Sequence, residues 1–274
     1  MNAISDLSFS SHANAFDRGL SLDTVRARAP AVFAASADER LSSKYTFLPT
    51  ERILNGLMSA GFLPVDARQA SARRGNPLHA RHIVRLRPRF DTVQLRDSVA
   101  EVVFLNSHDG SSAYQLRMGL FRVVCTNGLI VSRGAFPAYC VSHRGNIVDD
   151  VVAGALKLAE RFESLAEQVE RMERRQLFKD EQLAFAGAAL RLRYPEPEES
   201  GMQPAQLLTC RRSEDVGDDL WRVYNRVQEH LLRGGLSRRS IKGRLTRTRP
   251  IGSIRRDVTL NGQLWDLATE RLVA

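Results

Sequence analysis

Between residues 147 and 172, apolar side chains return at three- and four-residue steps: Val148, Val152, Ala155, Ala159, Phe162, Ala166, Val169 and Met172. Lys157, Glu160, Glu163, Glu167, Glu170 and Arg171 fill the positions between them. This is the period of one face of an α-helix, so the pattern predicts one long amphipathic helix. A second helix is predicted over residues 180–192 and a third over 218–233. In the third, Leu220, Val223, Tyr224, Val227 and Leu231 face inward, and Gly234-Gly235 provides the stop. Residues 258–272 close the chain, with Trp265 and Leu267 expected to fold back onto the core.

Ahead of these helices the period shortens to two. Strand-like segments occupy residues 62–73, 82–87, 98–105, 113–118 and 121–126. In 113–118, Tyr114, Leu116 and Met118 share one face and Gln115 and Arg117 the other. Asp109-Gly110 and Asn127-Gly128 are turn signals, because both pairs accept the positive φ that a tight hairpin needs. Gly119 is placed where a bulge could reset the register. A short helix through Ile53, Leu54 and Leu57 is expected to start on a Thr50 cap and to stop near Gly61. Residues 1–43 are rich in Ser and Ala and read as a loosely ordered arm with one short helix near 20–28. Residues 194–201 read as a linker.

Strands that follow one another directly, rather than alternating with helices, pair antiparallel. The pattern therefore predicts an α+β fold: an antiparallel β-meander sheet covered by a long helix, plus a helical C-terminal part. The expected organisation is an arm (1–43), an α+β core (44–192) and a basic helical part (193–274) that packs back on the core.

The chain has 274 residues, 43% hydrophobic and 26% charged, ordinary proportions for a globular protein with a real core. No apolar run approaches the roughly 20 residues of a spanning helix, and no secretory leader pattern is seen, so no membrane partner is expected. Cys125, Cys140 and Cys210 are odd in number and widely spaced, which fits a reducing compartment better than a disulfide framework. The six histidines are scattered, and no metal ligand spacing or cofactor motif is present, so neither a metal nor a cofactor is expected.

Charge changes the picture most. The formal net charge is +9. Residues 233–256 carry nine basic side chains and no acid: Arg233, Arg238, Arg239, Lys242, Arg244, Arg247, Arg249, Arg255 and Arg256. Each Lys or Arg that neutralises a phosphate releases a condensed counterion, so such a segment suits a nucleic acid. Arginine also holds phosphate oxygens with two parallel N–H donors. A solvated basic face is the competing reading. Arg81, Arg85, Arg87 and Arg89 form a second cluster around one predicted strand, with Arg117 and Arg122 on the neighbouring hairpin. Arg85 and Arg87, two residues apart, point the same way from a strand. The alternative is the polar face that antiparallel sheets commonly show to water. Phe90, Tyr114 and Phe121 are candidate stacking platforms for bases, against the alternative that they are core. Asp91, Asp97 and Glu101 are the acids a metal-dependent nuclease would use, but no Lys follows at short spacing. No phosphate loop or nucleophile elbow occurs, so binding is expected rather than catalysis.

The run Leu116-Arg117-Met118-Gly119-Leu120-Phe121-Arg122-Val123-Val124-Cys125-Thr126-Asn127-Gly128-Leu129 is distinctive. With Asn106-Ser107-His108-Asp109-Gly110 and Ser253-Ile254-Arg255-Arg256-Asp257-Val258-Thr259-Leu260-Asn261, it resembles a family of phage/plasmid-like proteins of unknown function. Members sit on bacterial mobile elements. The resemblance runs from about Tyr45 to the C-terminus and implies a setting, a bacterial cytoplasm and plasmid or phage biology, more than an activity. The layout of a helix, a meander and a long helix is also similar to the core of single-strand annealing proteins, at the level of fold alone. Together these readings lead to an expected nucleic-acid binder. It would hold single-stranded DNA non-specifically along an arginine track, self-associate, and promote annealing or recombination. The alternative partner is a host defence or restriction protein that the chain would inhibit.

Overall fold

The structure is a computed structural model that describes residues 19–42, 45–71, 75–89, 94–95, 98–122, 128–131, 138–141, 146–196, 201–239 and 243–272, with the backbone alone described at 94–95, 122, 128–129 and 131. The helices are α1 (Leu22–Arg28), α2 (Thr50–Ser59), α3 (Ile147–Ala159), α4 (Phe162–Arg174), α5 (Lys179–Arg193), α6 (Leu220–Arg233) and α7 (Ile254–Glu270). The strands are β1 (Phe62–Gln69), β2 (His82–Pro88), β3 (Gln94–Leu95), β4 (Ser98–Asn106), β5 (Tyr114–Arg122), β6 (Gly128–Val131), β7 (Tyr139–Val141), β8 (Ser237–Arg239) and β9 (Leu245–Arg247). The main sheet runs β1-β2-β4-β5-β6, with β3 beside β4 and β7 beside β5, and its described pairings are antiparallel. The α+β class and the meander are as the sequence pattern predicts.

The chain divides into two compact units. The first gathers residues 1–92, 101–116 and 139–159; the second gathers 93–100, 117–138 and 160–274. Residues 160–192 thus cluster with 193–274.

The first unit is built on β1, β2 and the body of β4. Every residue of β4 is buried, as its Val- and Phe-dense sequence anticipates. The segment after residue 18 is ordered rather than loose. Ser21 caps α1, Leu20 N–H donates to Pro64 O at 2.6 Å, and Ala31 N–H donates to the Gln69 side chain at 2.8 Å. Bulky residues are sparse here, but small ones suffice: Val25, Ala29, Ala31, Val32 and Ala34 are all buried.

Thr50 is not a cap. Pro49 holds that position, and Thr50, the first residue of α2, is fully buried with its hydroxyl at the centre of a polar cluster. Thr50 Oγ1 lies 3.0 Å from His82 Nε2, 3.3 Å from His108 Nε2 and 3.0 Å from Asn106 Nδ2. His82 Nδ1 faces the Ala80 carbonyl at 3.0 Å and must donate to it, so Nε2 accepts the Thr50 proton. The hydroxyl's lone pairs then receive Asn106 and the Nε2–H of His108. Burial pulls the His82 pKa down to about 4, against smaller upward pulls from the Ala80 carbonyl and from Asp109. Asp109-Gly110 makes the expected turn: Gly110 has φ +75°, and Asp109 Oδ1 accepts from Ser111 N–H at 2.9 Å.

Two other expectations are corrected. β5 is one strand from Tyr114 to Arg122, not two: Met118, Gly119 and Leu120 face Val131, Ile130 and Leu129 in unbroken register, so Gly119 marks no bulge. The long helix is two helices. A turn at Glu160 and Arg161 separates α3 from α4, and the two belong to different units. The apolar period runs through the turn because each half has a partner for its stripe. α3 packs on α2 and β7, with Gly154 close against Leu116 and Tyr139, while α4 packs on α6. Periodicity reports the stripe but not what it meets.

The second unit is centred on α6. From Leu220 to Leu232, every residue except Arg222 is buried. The polar side chains of α6 are buried as well, several of them on partners from neighbouring segments. Arg226 Nη1 donates to Asp215 O at 3.1 Å, Glu229 meets Arg212 at 2.8 Å, and Gln228 meets Asn261 at 2.7 Å. Tyr224 stacks on Trp221 and meets Trp265 edge-on, so Trp265 does return to the core.

Candidate nucleic-acid interface

The basic segment begins where α6 stops. Gly234 (φ +65°) ends the helix, and a Cβ there would lie 2.6 Å from Thr248 O and 2.7 Å from the backbone of Arg249. Glycine alone allows the chain to cross itself so closely. Gly235 N–H then donates to Thr248 O at 2.8 Å, and Thr248 N–H donates to Leu236 O at 2.9 Å. From this closure β8 and β9 run out as a two-stranded ribbon, pairing Ser237 with Arg247, Arg238 with Thr246 and Arg239 with Leu245. The base is tied down further. Gln206 donates to Ser237 O at 2.8 Å, Ile251 N–H donates to Leu232 O at 2.8 Å, and the Arg193 guanidinium bonds the carbonyls of Leu231 and Arg249. The glycine at 201 (φ +64°) lies so close to the Arg239 backbone that no side chain fits between them.

Because residues directly opposite in an antiparallel pair share a face, the register sorts the ribbon into two sides. Ser237, Arg239, Leu245 and Arg247 form one side, and all are exposed. Arg238 and Thr246 form the other and are half-buried. Arg244 and Arg249 flank β9 and are exposed. Leu245 is 68% exposed in the midst of these arginines. Beyond Pro250, Ser253 caps α7 and accepts from Arg256 N–H at 3.4 Å, which leaves Arg255 and Arg256 exposed in the first turn. Anions are favoured at that end of a helix.

Arg193 ties the two parts together electrostatically. Its pKa is lowered mainly by burial, with the nearby charges of Arg238 and Arg256 adding to the depression. Arg193, Arg238 and Arg256 therefore share one cationic neighbourhood. Among the described residues, Arg239, Arg247, Arg249, Arg255 and Arg256 make no ion pair with a carboxylate. Arg233 is exposed, and Lys242 lies outside the described residues.

The arginines of the sheet are placed differently, and two of them must be withdrawn from the candidate track. Arg85 and Arg87 do point the same way from β2, but toward Glu101. Arg85 Nε meets one carboxylate oxygen at 2.7 Å, and Arg87 Nη2 meets the other at 2.8 Å. The side chains of Arg85, Arg87 and Glu101 are 17%, 9% and 0% exposed. Arg85 also lies 3.8 Å from Asp66. A carboxylate in the middle of the fully buried β4 is tolerated because two guanidinium groups meet it, and they are consumed in doing so. Arg81 donates to the carbonyl and hydroxyl of Ser111. Arg89 is exposed, Arg117 is half-buried, and the side chain of Arg122 is outside the described set. Arg81, Arg85, Arg87 and Arg89 belong to the first unit, and Arg117, Arg122 and the ribbon to the second.

The two stacking candidates among the described residues do not reach a surface. Tyr114 is fully buried with its hydroxyl donating to Leu48 O at 2.9 Å, Phe121 is 5% exposed, and Phe90 lies outside the described residues. Of the nuclease acids, Glu101 is the one just placed, while Asp91 and Asp97 are outside the described residues. No three His, Cys, Asp or Glu side chains gather as a cation site among the described residues, and no described helix is long and apolar enough to cross a membrane. The cysteines at 140 and 210 are exposed free thiols. Arginine density along the chain missed Arg193 and Arg211, which join the basic region from elsewhere. Arg211 reaches it by donating to Gly234 O.

Against known proteins, residues 39–265 match a family model described as a domain of unknown function, DUF932. The chain belongs to this family. Two relatives from Escherichia coli (strain K12), the UPF0380 proteins YafZ and YfjQ, are each 38% identical to it over 253 residues, covering 92% of this chain and 91% of theirs. No solved structure matches it. Of the segments quoted for the family resemblance, Asn106-Ser107-His108-Asp109-Gly110 builds the Thr50 cluster and its turn, and 253–261 builds the start of α7.

Proposed function

We propose that this DUF932 protein binds nucleic acid in the bacterial cytoplasm, in the service of a mobile element. It grips the phosphate backbone through the ribbon and the first turn of α7. One observation carries the reading: in a segment without acids, five arginines are exposed on an ordered scaffold and make no ion pair among the described residues. Exposed surface arginines cost little to keep and gain from counterion release when a polyanion docks. The reading is one of binding, with the ribbon as an electrostatic grip and no residue assigned to catalysis. The sheet no longer contributes a groove, since Arg85 and Arg87 are committed to Glu101 and the candidate aromatics among the described residues are core. The support that pointed to single strands, and through them to annealing, falls away with it.

The test is a salt titration of binding to single- and double-stranded oligonucleotides, read with particle size for self-association. Binding that weakens linearly in log–log form, with a slope of several units, is expected. Absence of salt-dependent binding to any nucleic acid would remove the reading and leave an interaction with a host defence protein, which would then copurify with the chain.

A further inference from the structure

We infer that the ribbon enters the major groove of duplex DNA with its Arg239–Leu245–Arg247 side against the bases. The inference rests on the nucleic-acid reading above and names its substrate. Strands in a pair lie about 4.8 Å apart, and with side chains the ribbon matches a groove about 12 Å wide, which admits a two-stranded β-ribbon. The A-form groove of duplex RNA is too deep and narrow for it. The exposed side carries two kinds of group. Arg239 and Arg247 are donors of the fork type that reads guanine O6 and N7, and neither is tied to a carboxylate among the described residues.

Leu245 sits directly opposite Arg239 across the pair, two residues from Arg247 on its own strand, and is 68% exposed, an apolar group with no cover of its own. A backbone grip alone has no use for it, because phosphates and sugars offer it little. In the major groove it meets the thymine methyl, which is the apolar feature of that surface. The ribbon is also held from below by Gly234, Thr248, Gln206 and Arg193, so its exposed side is presented on a fixed base. Arg249, Arg255 and Arg256 are left for the flanking phosphates.

The experiment measures binding of the full chain and of L245A and R247A to a 20-base-pair A·T-rich DNA duplex containing a few G·C pairs. The same duplex with every thymine replaced by deoxyuridine, its single strands, and the RNA duplex of the same sequence complete the set. Both substituted positions are exposed, and circular dichroism and urea unfolding confirm that the variants fold. The intact chain is expected to bind the thymine duplex more tightly than the RNA duplex or the single strands, and to lose about fourfold on deoxyuridine, the worth of one buried methyl. L245A should be indifferent to the methyl, and R247A should lose about tenfold on the duplex. Single strands bound as tightly as the duplex, or no response of the intact chain to the methyl, overturns the groove inference while leaving nucleic-acid binding standing. No salt-dependent binding to any of the four overturns both.

Discussion

Arg85 with Arg87 and Arg247 with Arg249 are the same pair of side chains at the same spacing, two residues apart in the chain. Their environments give them opposite roles. The first pair faces the Glu101 carboxylate from a strand whose neighbour is wholly buried, and it neutralises a charge the core could not otherwise hold. The second pair lies at the end of β9 and just beyond it, outside the main sheet, with no carboxylate bound to it among the described residues. A count of arginines treats the two alike. What separates them is the acid across the sheet, sixteen residues from Arg85 in sequence and 2.7 Å away in space.

The comparison can be broken most forcefully at Glu101. Glu101→Ala removes the carboxylate that both guanidinium groups meet and leaves Asp66, 3.8 Å from Arg85, as the remaining acid beside them. It should cost about 3–5 kcal/mol, measured by urea unfolding, while any variant that still folds keeps its salt dependence of DNA binding. Loss of DNA affinity without loss of stability would put the sheet arginines back in the site.

Acid should weaken the first unit next. His82 is held neutral by burial with a folded pKa of about 4, below the ordinary value near 6.5. The unfolded chain therefore takes up the proton first as pH falls. This contribution is complete above about pH 6.5 and fades at about 1.4 kcal/mol per pH unit toward pH 4. His82→Gln should flatten that part of the stability-against-pH curve, even if it lowers stability throughout.

Gly234→Ala sharpens the comparison from the ribbon's side. It forces a side chain into left-handed backbone against Thr248 and Arg249, at a cost of about 1–3 kcal/mol. Binding should weaken as well, since the ribbon's base is displaced. Ser237→Ala, on the exposed side but without charge, should change stability by about 0.5 kcal/mol or less.

Local pattern revealed the meander, the second and third helices and the basic stretch, because each is a local signal of period or composition. It failed where the partner decides. The stripe of residues 147–172 reads as one helix because both halves are amphipathic in phase, and nothing at Glu160-Arg161 marks the turn. In α6 the period identified the inward apolar residues but not the burial of Arg226, Gln228 and Glu229, whose partners Asp215, Asn261 and Arg212 are out of local range. Asn106 and His108 stand in a segment quoted for its family resemblance, and only the fold shows that they meet a threonine more than fifty residues earlier to make a buried joint. In the basic segment the composition identified the arginines, but the alternation that exposes Arg239 and Arg247 while half-covering Arg238 needed the register of the ribbon.

The most direct test is the salt dependence of duplex binding by Arg247→Ala/Arg249→Ala beside the intact chain, with urea unfolding of both. The account predicts an unchanged urea midpoint and a log–log slope smaller by about 0.9 for each arginine removed. An unchanged slope at full stability would contradict it.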